Sequence, residues 1–135
     1  VHGDFRLDNM IYSNFDVVGV LDWELSTLGH PIADFCYHCL TWRTLPNFHD
    51  HRKLKDLGIP NEVEYRDMYS EQTGKDLSRD WEFYMVYSLF KVAAICQGIL
   101  GRVRDGTAAS KHAEERGMNV FPLSKGAWSI VESNF

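Results

Sequence analysis

The first 24 residues constrain the fold most, because they alone carry a β pattern in a chain patterned for helices elsewhere. Met10-Ile11-Tyr12 and Val17-Val18-Gly19-Val20-Leu21 are short β-rich runs, and the residues between them, Ser13-Asn14-Phe15-Asp16, favour a turn. The pattern predicts an antiparallel hairpin. If Met10 pairs with Leu21 and Ile11 with Val20, the same register sets Asn9 opposite Asp22, where opposed Cβ atoms stand about 4.5–5.5 Å apart. An amide oxygen and a carboxylate at that spacing can share one hard cation. Mg2+ suits them, since it takes oxygen ligands at about 2.0–2.1 Å and fills the rest of its shell with water and phosphate.

The remainder reads as helix. Asn61 can cap a helix start after Pro60, with Glu64 in the capping-box position and Gly74 closing the element. Trp81 to Leu100 is a long apolar run with Ser78 as its expected N-cap, Asp80 in its first turn and Arg102 and Arg104 near its end. Asp105-Gly106 then turns the chain. Glu82, Lys91 and Gln97 interrupt the run, and a mid-span lysine costs about 2.5–3.5 kcal/mol even on insertion scales, so a buried helix is predicted rather than a membrane span. Val120, Leu123, Ala127 and Val131 follow three- and four-residue steps, which predicts a terminal amphipathic helix. Arg43 to Gly58 is the most polar, loop-like stretch. About four or five helices are expected to bury the aromatic residues.

With 135 residues the chain can build one ordinary core, and 19 acids against 14 bases leave a net charge of −5. Such a balance lacks the basic excess that phosphate-backbone binding needs, so nucleic acid is not expected as a partner. Three cysteines cannot close a disulfide framework, which suits a reducing, cytoplasmic setting. The first residue is Val1 rather than Met, with no targeting segment before the functional-looking stretch, so the chain is expected to be a piece of a longer protein.

Chemistry concentrates in the opening run Val1-His2-Gly3-Asp4-Phe5-Arg6-Leu7-Asp8-Asn9, a polar loop that feeds the first strand. Asp4 overlooks the proposed metal pair. An acid to accept the proton of an attacking hydroxyl, beside two oxygen ligands for a charge-neutralising ion, is what phosphoryl transfer asks of a protein.

His2-Gly3-Asp4 with Asn9, then Val20-Leu21-Asp22-Trp23-Glu24, then Gly29-His30-Pro31 with Asp34, resembles the aminoglycoside phosphotransferase and choline kinase family, which shares the protein-kinase-like fold. The wording around Asp22-Trp23-Glu24 and the Trp81-Glu82-Phe83-Tyr84 run look most like the phosphotransferase domains fused to acyl-CoA dehydrogenase-like enzymes. The resemblance implies an α+β, mostly helical chain, residues 1–135 forming the C-terminal lobe of a kinase-like fold, with a small hairpin beside the catalytic loop. It implies Asp4 as catalytic base, Asn9 and Asp22 as magnesium and nucleotide ligands, and Asp34 as a brace for the catalytic loop. His2 is expected to support that loop structurally. ATP and Mg2+ are the implied co-substrate and cofactor, and a small-molecule hydroxyl, for instance on a hydroxyacyl compound, the implied acceptor. Nothing in the chain fits the N-terminal lobe that covers the nucleotide phosphates, so the chain by itself is expected to be inactive. The alternative is a non-catalytic binding or scaffolding module that keeps the shape of the lobe.

Other signals weigh less. Glu24 is either a third acid near the metal or a surface group. Cys36 and Cys39 with His49-Asp50-His51 invite zinc, but the second pair has one intervening residue where structural fingers want three to five, and the cysteines fall on an apolar helix face. Trp81, Phe83, Tyr84, Tyr87 and Phe90 read as core rather than as a ligand cage. Gly98 and Gly101 are expected to permit close helix packing or termination.

Overall fold

A computed structural model describes residues 1–44 and 51–135, the side chains of 51 and 52 left aside. His49 and Asp50, with residues 45–48 of the Arg43–Gly58 stretch, lie outside the described residues. Among those described, a hairpin of β1 (Met10–Ser13) and β2 (Asp16–Val20) precedes six helices: α1 (Pro31–Thr44), α2 (His51–Asp56), α3 (Glu62–Thr73), α4 (Trp81–Arg104), α5 (Ala113–Met118) and α6 (Val120–Asn134). Short 3-10 turns at Leu7–Asn9 and Trp23–Leu25 flank the hairpin. The expected α+β, mostly helical class is observed. The chain divides into two compact units, Val1–Tyr84 and Met85–Phe135.

The hairpin forms where expected but in another register. Asn14 and Phe15 both take positive φ, 49° and 70°, the backbone of a two-residue type I′ turn whose twist matches that of the strands. This turn pairs Ser13 with Asp16 and Tyr12 with Val17, and a bulge beyond them then sets Ile11 against Gly19 and Met10 against Val20. Met10 therefore faces Val20 rather than Leu21. The backbone of Asn9 meets Leu21, whose N–H donates to the Asn9 carbonyl at 2.8 Å, so Asn9 is not opposite Asp22.

In the first unit, α1 supplies the core. Ile32, Phe35, Cys36, Cys39 and Leu40 are buried along it, and the Phe35 ring stacks on Tyr69 at 3.9 Å and tilts against Trp81 at 5.7 Å. Arg43 near the end of α1 grips the Glu62 carboxylate through two hydrogen bonds of 2.7 Å and that of Glu82 through two more. Burial opposes ionisation of Glu62, but Arg43 and the Trp81 indole hold its carboxyl below the usual range. The predicted capping box is complete: Glu64 N donates to Asn61 Oδ1 at 3.0 Å, Asn61 N to Glu64 Oε2 at 2.8 Å, and Gly74 ends α3 in the left-handed region. Ser78 does not cap α4. Its N–H donates to Asp76 within the preceding turn, and the carbonyl of Asp80 accepts the first helical bond from Tyr84. Helix α2 occupies part of the expected loop, anchored by buried Leu54.

In the second unit, Met85, Ser88, Leu89, Ala93 and Cys96 form the buried stripe of α4 at three- and four-residue steps. Tyr87 and Phe90 fall off that stripe and are exposed, as Phe83 is at the end of the first unit, so the helices do not bury all the aromatic residues. By length and composition α4 is the one helix among the described residues that could cross a membrane, and it is less enclosed than the sequence predicts, with 28% of its apolar window buried. Close packing here depends on a different glycine from those expected. Nothing stands near Gly101, whereas a Cβ on Gly117 of α5 would meet Leu100 Cδ2 at 2.6 Å.

Candidate active site

The opening loop is held by helix α1. Asp34, in its first turn, accepts hydrogen bonds from the backbone N–H groups of His2 and of Gly3, the latter at 2.8 Å. Two adjacent amides converging on one carboxylate fix the path of the backbone that delivers Asp4. His2 is buried at 4% exposure and bonded at both ring nitrogens: Nδ1 accepts from Asp4 N at 3.2 Å and Nε2 lies 2.7 Å from the Leu21 carbonyl. Since Nδ1 accepts, Nε2 carries the proton and donates to Leu21. With the Trp23 ring centroid at 4.7 Å, His2 fastens the Asp4 loop to the backbone just before Asp22.

Asp4 meets Asn9 across the loop. The Asn9 amide nitrogen donates to the Asp4 carbonyl at 2.9 Å and to Asp4 Oδ2 at 3.0 Å, leaving the amide oxygen as the group with which Asn9 can hold a cation. Arg6 Nε lies 3.3 Å from the same Oδ2. Burial, and then the Asp4 charge, push the Tyr37 hydroxyl up to about 12. Its neighbour His38 touches the loop through Phe5, ring centroids 5.8 Å apart, and burial holds His38 below its ordinary value.

Asp22 stands apart. It is exposed, takes the left-handed conformation with φ 65° and ψ 54°, and its side chain makes no hydrogen bond or ion pair among the described residues. A non-glycine residue tolerates that region at a cost, least so for Asp and Asn, and such residues gather at functional sites. The structure thus joins His2, Asp4, Asn9 and Asp34 in one hydrogen-bonded group, to which Asp22 connects through Leu21. Glu24 is exposed in the 3-10 turn that follows. Cys36 and Cys39 lie buried in α1 as thiols, pushed upward chiefly by desolvation, Cys36 to about 12. Among the described residues no three or more His, Cys, Asp or Glu side chains cluster to hold a metal; the hard oxygen donors the sequence singles out are the amide oxygen of Asn9 and the carboxylate of Asp22. Two hard oxygens of this kind fit Mg2+.

The contact of Asp4 with Arg6 is not legible in the sequence alone, because Arg6 carries no spacing signal.

Residues 1–87 match the phosphotransferase enzyme family, and the chain belongs to that family. It is 44% identical over 97% of its length to acyl-CoA dehydrogenase family member 10 of Mus musculus, and 33% identical over its full length to family member 11 of Homo sapiens. It spans 13% and 18% of those two relatives, which are much longer. Among solved structures it is similar to one from Ralstonia eutropha JMP134 described as a candidate aminoglycoside phosphotransferase, at 45% identity and a TM-score of 0.86, over 98% of this chain and 42% of that one. The relatives agree with the expected resemblance to phosphotransferases carried by acyl-CoA dehydrogenase family proteins.

Proposed function

We propose that the chain is the base- and metal-bearing lobe of an ATP-dependent kinase that phosphorylates a hydroxyl of a small molecule. The observation that carries this reading is the Asp4 carboxylate, seated on the Asn9 amide within a loop whose backbone Asp34 clamps. The acceptor oxygen attacks the γ-phosphorus of ATP, the bond to the bridging β,γ oxygen breaks, and the acceptor proton passes to Asp4. A phosphate ester and ADP result. Asn9 Oδ1 and the Asp22 carboxylate would hold Mg2+, which when bound neutralises charge on the transferring phosphates. His2 and Asp34 keep the loop in place.

A hydroxyacyl compound, such as a coenzyme A ester, is the proposed acceptor. The names of the two relatives support this, since each places a chain of this kind in an acyl-CoA dehydrogenase family protein. The share of the Ralstonia structure that the chain matches supports reading it as one lobe, the nucleotide-covering part being supplied by the longer protein. Buried free thiols at Cys36, Cys39 and Cys96 support a reducing compartment. The presence of Asp4, Asn9 and Asp22 together favours catalysis over a scaffolding module. The test is ADP release by the full-length protein with Mg-ATP against hydroxyacyl thioesters, amino alcohols and aminoglycosides. Phosphorylated hydroxyacyl product, lost with Asp4→Asn, supports the proposal; release from none of the acceptors sinks it.

A further inference from the structure

We propose that Arg6 is a further catalytic residue of this site, its guanidinium donating hydrogen bonds to the transferring phosphoryl group while Asp4 takes the acceptor proton. The inference rests on the kinase reading above. Phosphoryl transfer spreads negative charge over the phosphoryl oxygens, and a protein speeds it by setting cations where that charge develops. Arg6 is the one lysine or arginine among residues 1–42, and it stands beside the base.

Distance fixes where that group must pass. A hydroxyl that gives its proton to Asp4 comes within about 2.6–3.2 Å of a carboxylate oxygen, and the phosphorus it attacks lies about 3–3.5 Å further on. The phosphoryl group therefore passes about 6 Å from the carboxylate. Arg6 Nε lies 3.3 Å from Asp4 Oδ2, and its long side chain is 50% exposed, so the Nη atoms can reach oxygens at that distance.

Arg6 is held loosely enough to take a new partner. Its Nε stands 3.3 Å from Asp4 Oδ2 and its Nη1 3.7 Å from Asp8 Oδ2, both longer than the about 2.7–3.2 Å of a well-made N–H···O bond. The Asp8 side chain is 80% exposed, and ion pairs in water hold weakly. A phosphoryl group carries more charge than a carboxylate, and the planar guanidinium fork pairs with it bidentately. Since the fork has five N–H donors, Nε can stay on Asp4 while the Nη atoms turn to the phosphoryl oxygens. In the transfer the acceptor oxygen bonds to the γ-phosphorus, the bond to the bridging oxygen breaks and the acceptor proton goes to Asp4. Arg6 stays protonated throughout and exchanges no atom.

In the full-length protein Arg6→Met removes the charge and keeps an apolar stem, and Arg6→Lys keeps the charge without the fork. We expect Arg6→Met to lower kcat about 10²–10³-fold and Arg6→Lys to recover part of the loss. Affinity gives a second readout: calorimetry with Mg-ADP alone and with added aluminium fluoride, which stands in for the phosphoryl group in flight. The fluoride should tighten binding to the wild type, and Arg6→Met should lose at least about ten-fold of that tightening while its affinity for Mg-ADP alone changes by less than about two-fold. A wild-type kcat for Arg6→Met overturns the proposal, as does a slowed variant that keeps the full tightening, since Arg6 would then act only by restraining Asp4. A loss lying wholly in Mg-ADP affinity overturns it too. Asp4→Asn is run alongside. If it turns over normally, the kinase reading of Asp4 fails; if it is dead while Arg6→Met is normal, only the Arg6 proposal fails. Should Arg6→Met not fold, a crystal structure of the wild-type protein with Mg-ADP and aluminium fluoride decides: a guanidinium nitrogen within about 3.2 Å of a fluoride supports the role, and a guanidinium turned away from it overturns it.

Discussion

A Cβ on Gly3 would stand 2.5 Å from the carbonyl oxygen of Leu25, and Gly3 itself sits at φ +87°. Both facts require glycine between His2 and Asp4, one because the backbone of the following loop closes over it and the other because L side chains avoid that conformation. Gly3→Ala should therefore destabilise the fold by about 1–3 kcal/mol and reduce activity through a displaced Asp4. Urea denaturation checks the first half and steady-state kinetics the second. An alanine variant with unchanged midpoint and rate would contradict the contact with Leu25.

Asp4→Asn should cut turnover by about 10²–10⁴-fold while Mg-ATP affinity changes little, because the carboxylate acts mainly in the transition state. The amide oxygen of the substituted side chain can still accept from Asn9, so the loop should keep its shape. Single-turnover rates beside calorimetric ATP titration distinguish chemistry from binding. Unchanged turnover in a folded variant removes Asp4 from the mechanism.

Asp22→Ala should abolish activity and raise the magnesium concentration needed for any residual turnover. The Asp22 side chain makes no hydrogen bond or ion pair among the described residues, so the substitution breaks no side-chain contact, but alanine tolerates φ 65° less well than aspartate, and thermal stability should hold or fall slightly. Magnesium titrations of rate would show it. A structure with ATP and magnesium in which neither Asp22 nor Asn9 approaches the ion would defeat the assignment.

Phe15 occupies the second position of the type I′ turn at φ 70° with its side chain fully in solvent. A bulky residue there carries strain without compensating burial, where glycine carries none. Phe15→Gly should stabilise the isolated chain by about 1 kcal/mol. An unchanged or lower urea midpoint would mean that the ring is held by something the hairpin alone does not display.

Element types are legible because each has a local chemical signal. Asn61 with Glu64 and Gly74 marks a helix from cap to cap, and β-branched runs around Ser13–Asp16 mark a hairpin. Register is not, because it follows from backbone conformations that propensity does not assign: Phe is a poor residue for positive φ, so nothing in the sequence marks the two-residue turn or the bulge after it. The candidate site shows the same division. Asp4, Asn9 and Asp22 stand out by chemistry and spacing, yet the expected pairing of Asn9 with Asp22 depends on a register the hairpin does not adopt, and the link observed runs through the Leu21 backbone and His2. Backbone donors leave no trace in a sequence. The hydrogen bonds from the loop to Asp34 can be anticipated only through resemblance.

Cys36 and Cys39 should make stability fall at alkaline pH. Burial lifts the Cys36 thiol from 9.0 to about 12 and raises Cys39 as well, while Tyr37 moves from 10.0 to about 12. A group raised on folding favours its protonated form in the folded state. Below the unfolded value both states are protonated and the full stability is present; above it the unfolded chain ionises and the folded one does not. Each thiol then removes up to about 1.4 kcal/mol per pH unit until its folded value is reached. The urea midpoint should be level from neutral pH up to 9.0 and decline between there and about 12. Replacing both cysteines by alanine should lower the midpoint at neutral pH, since each leaves a small cavity, and flatten the alkaline decline. At about pH 8 iodoacetamide should label neither thiol in the native protein and both in urea, because only the thiolate reacts. Rapid native labelling of Cys36, or an alkaline decline as steep without the two thiols as with them, would refute the burial argument.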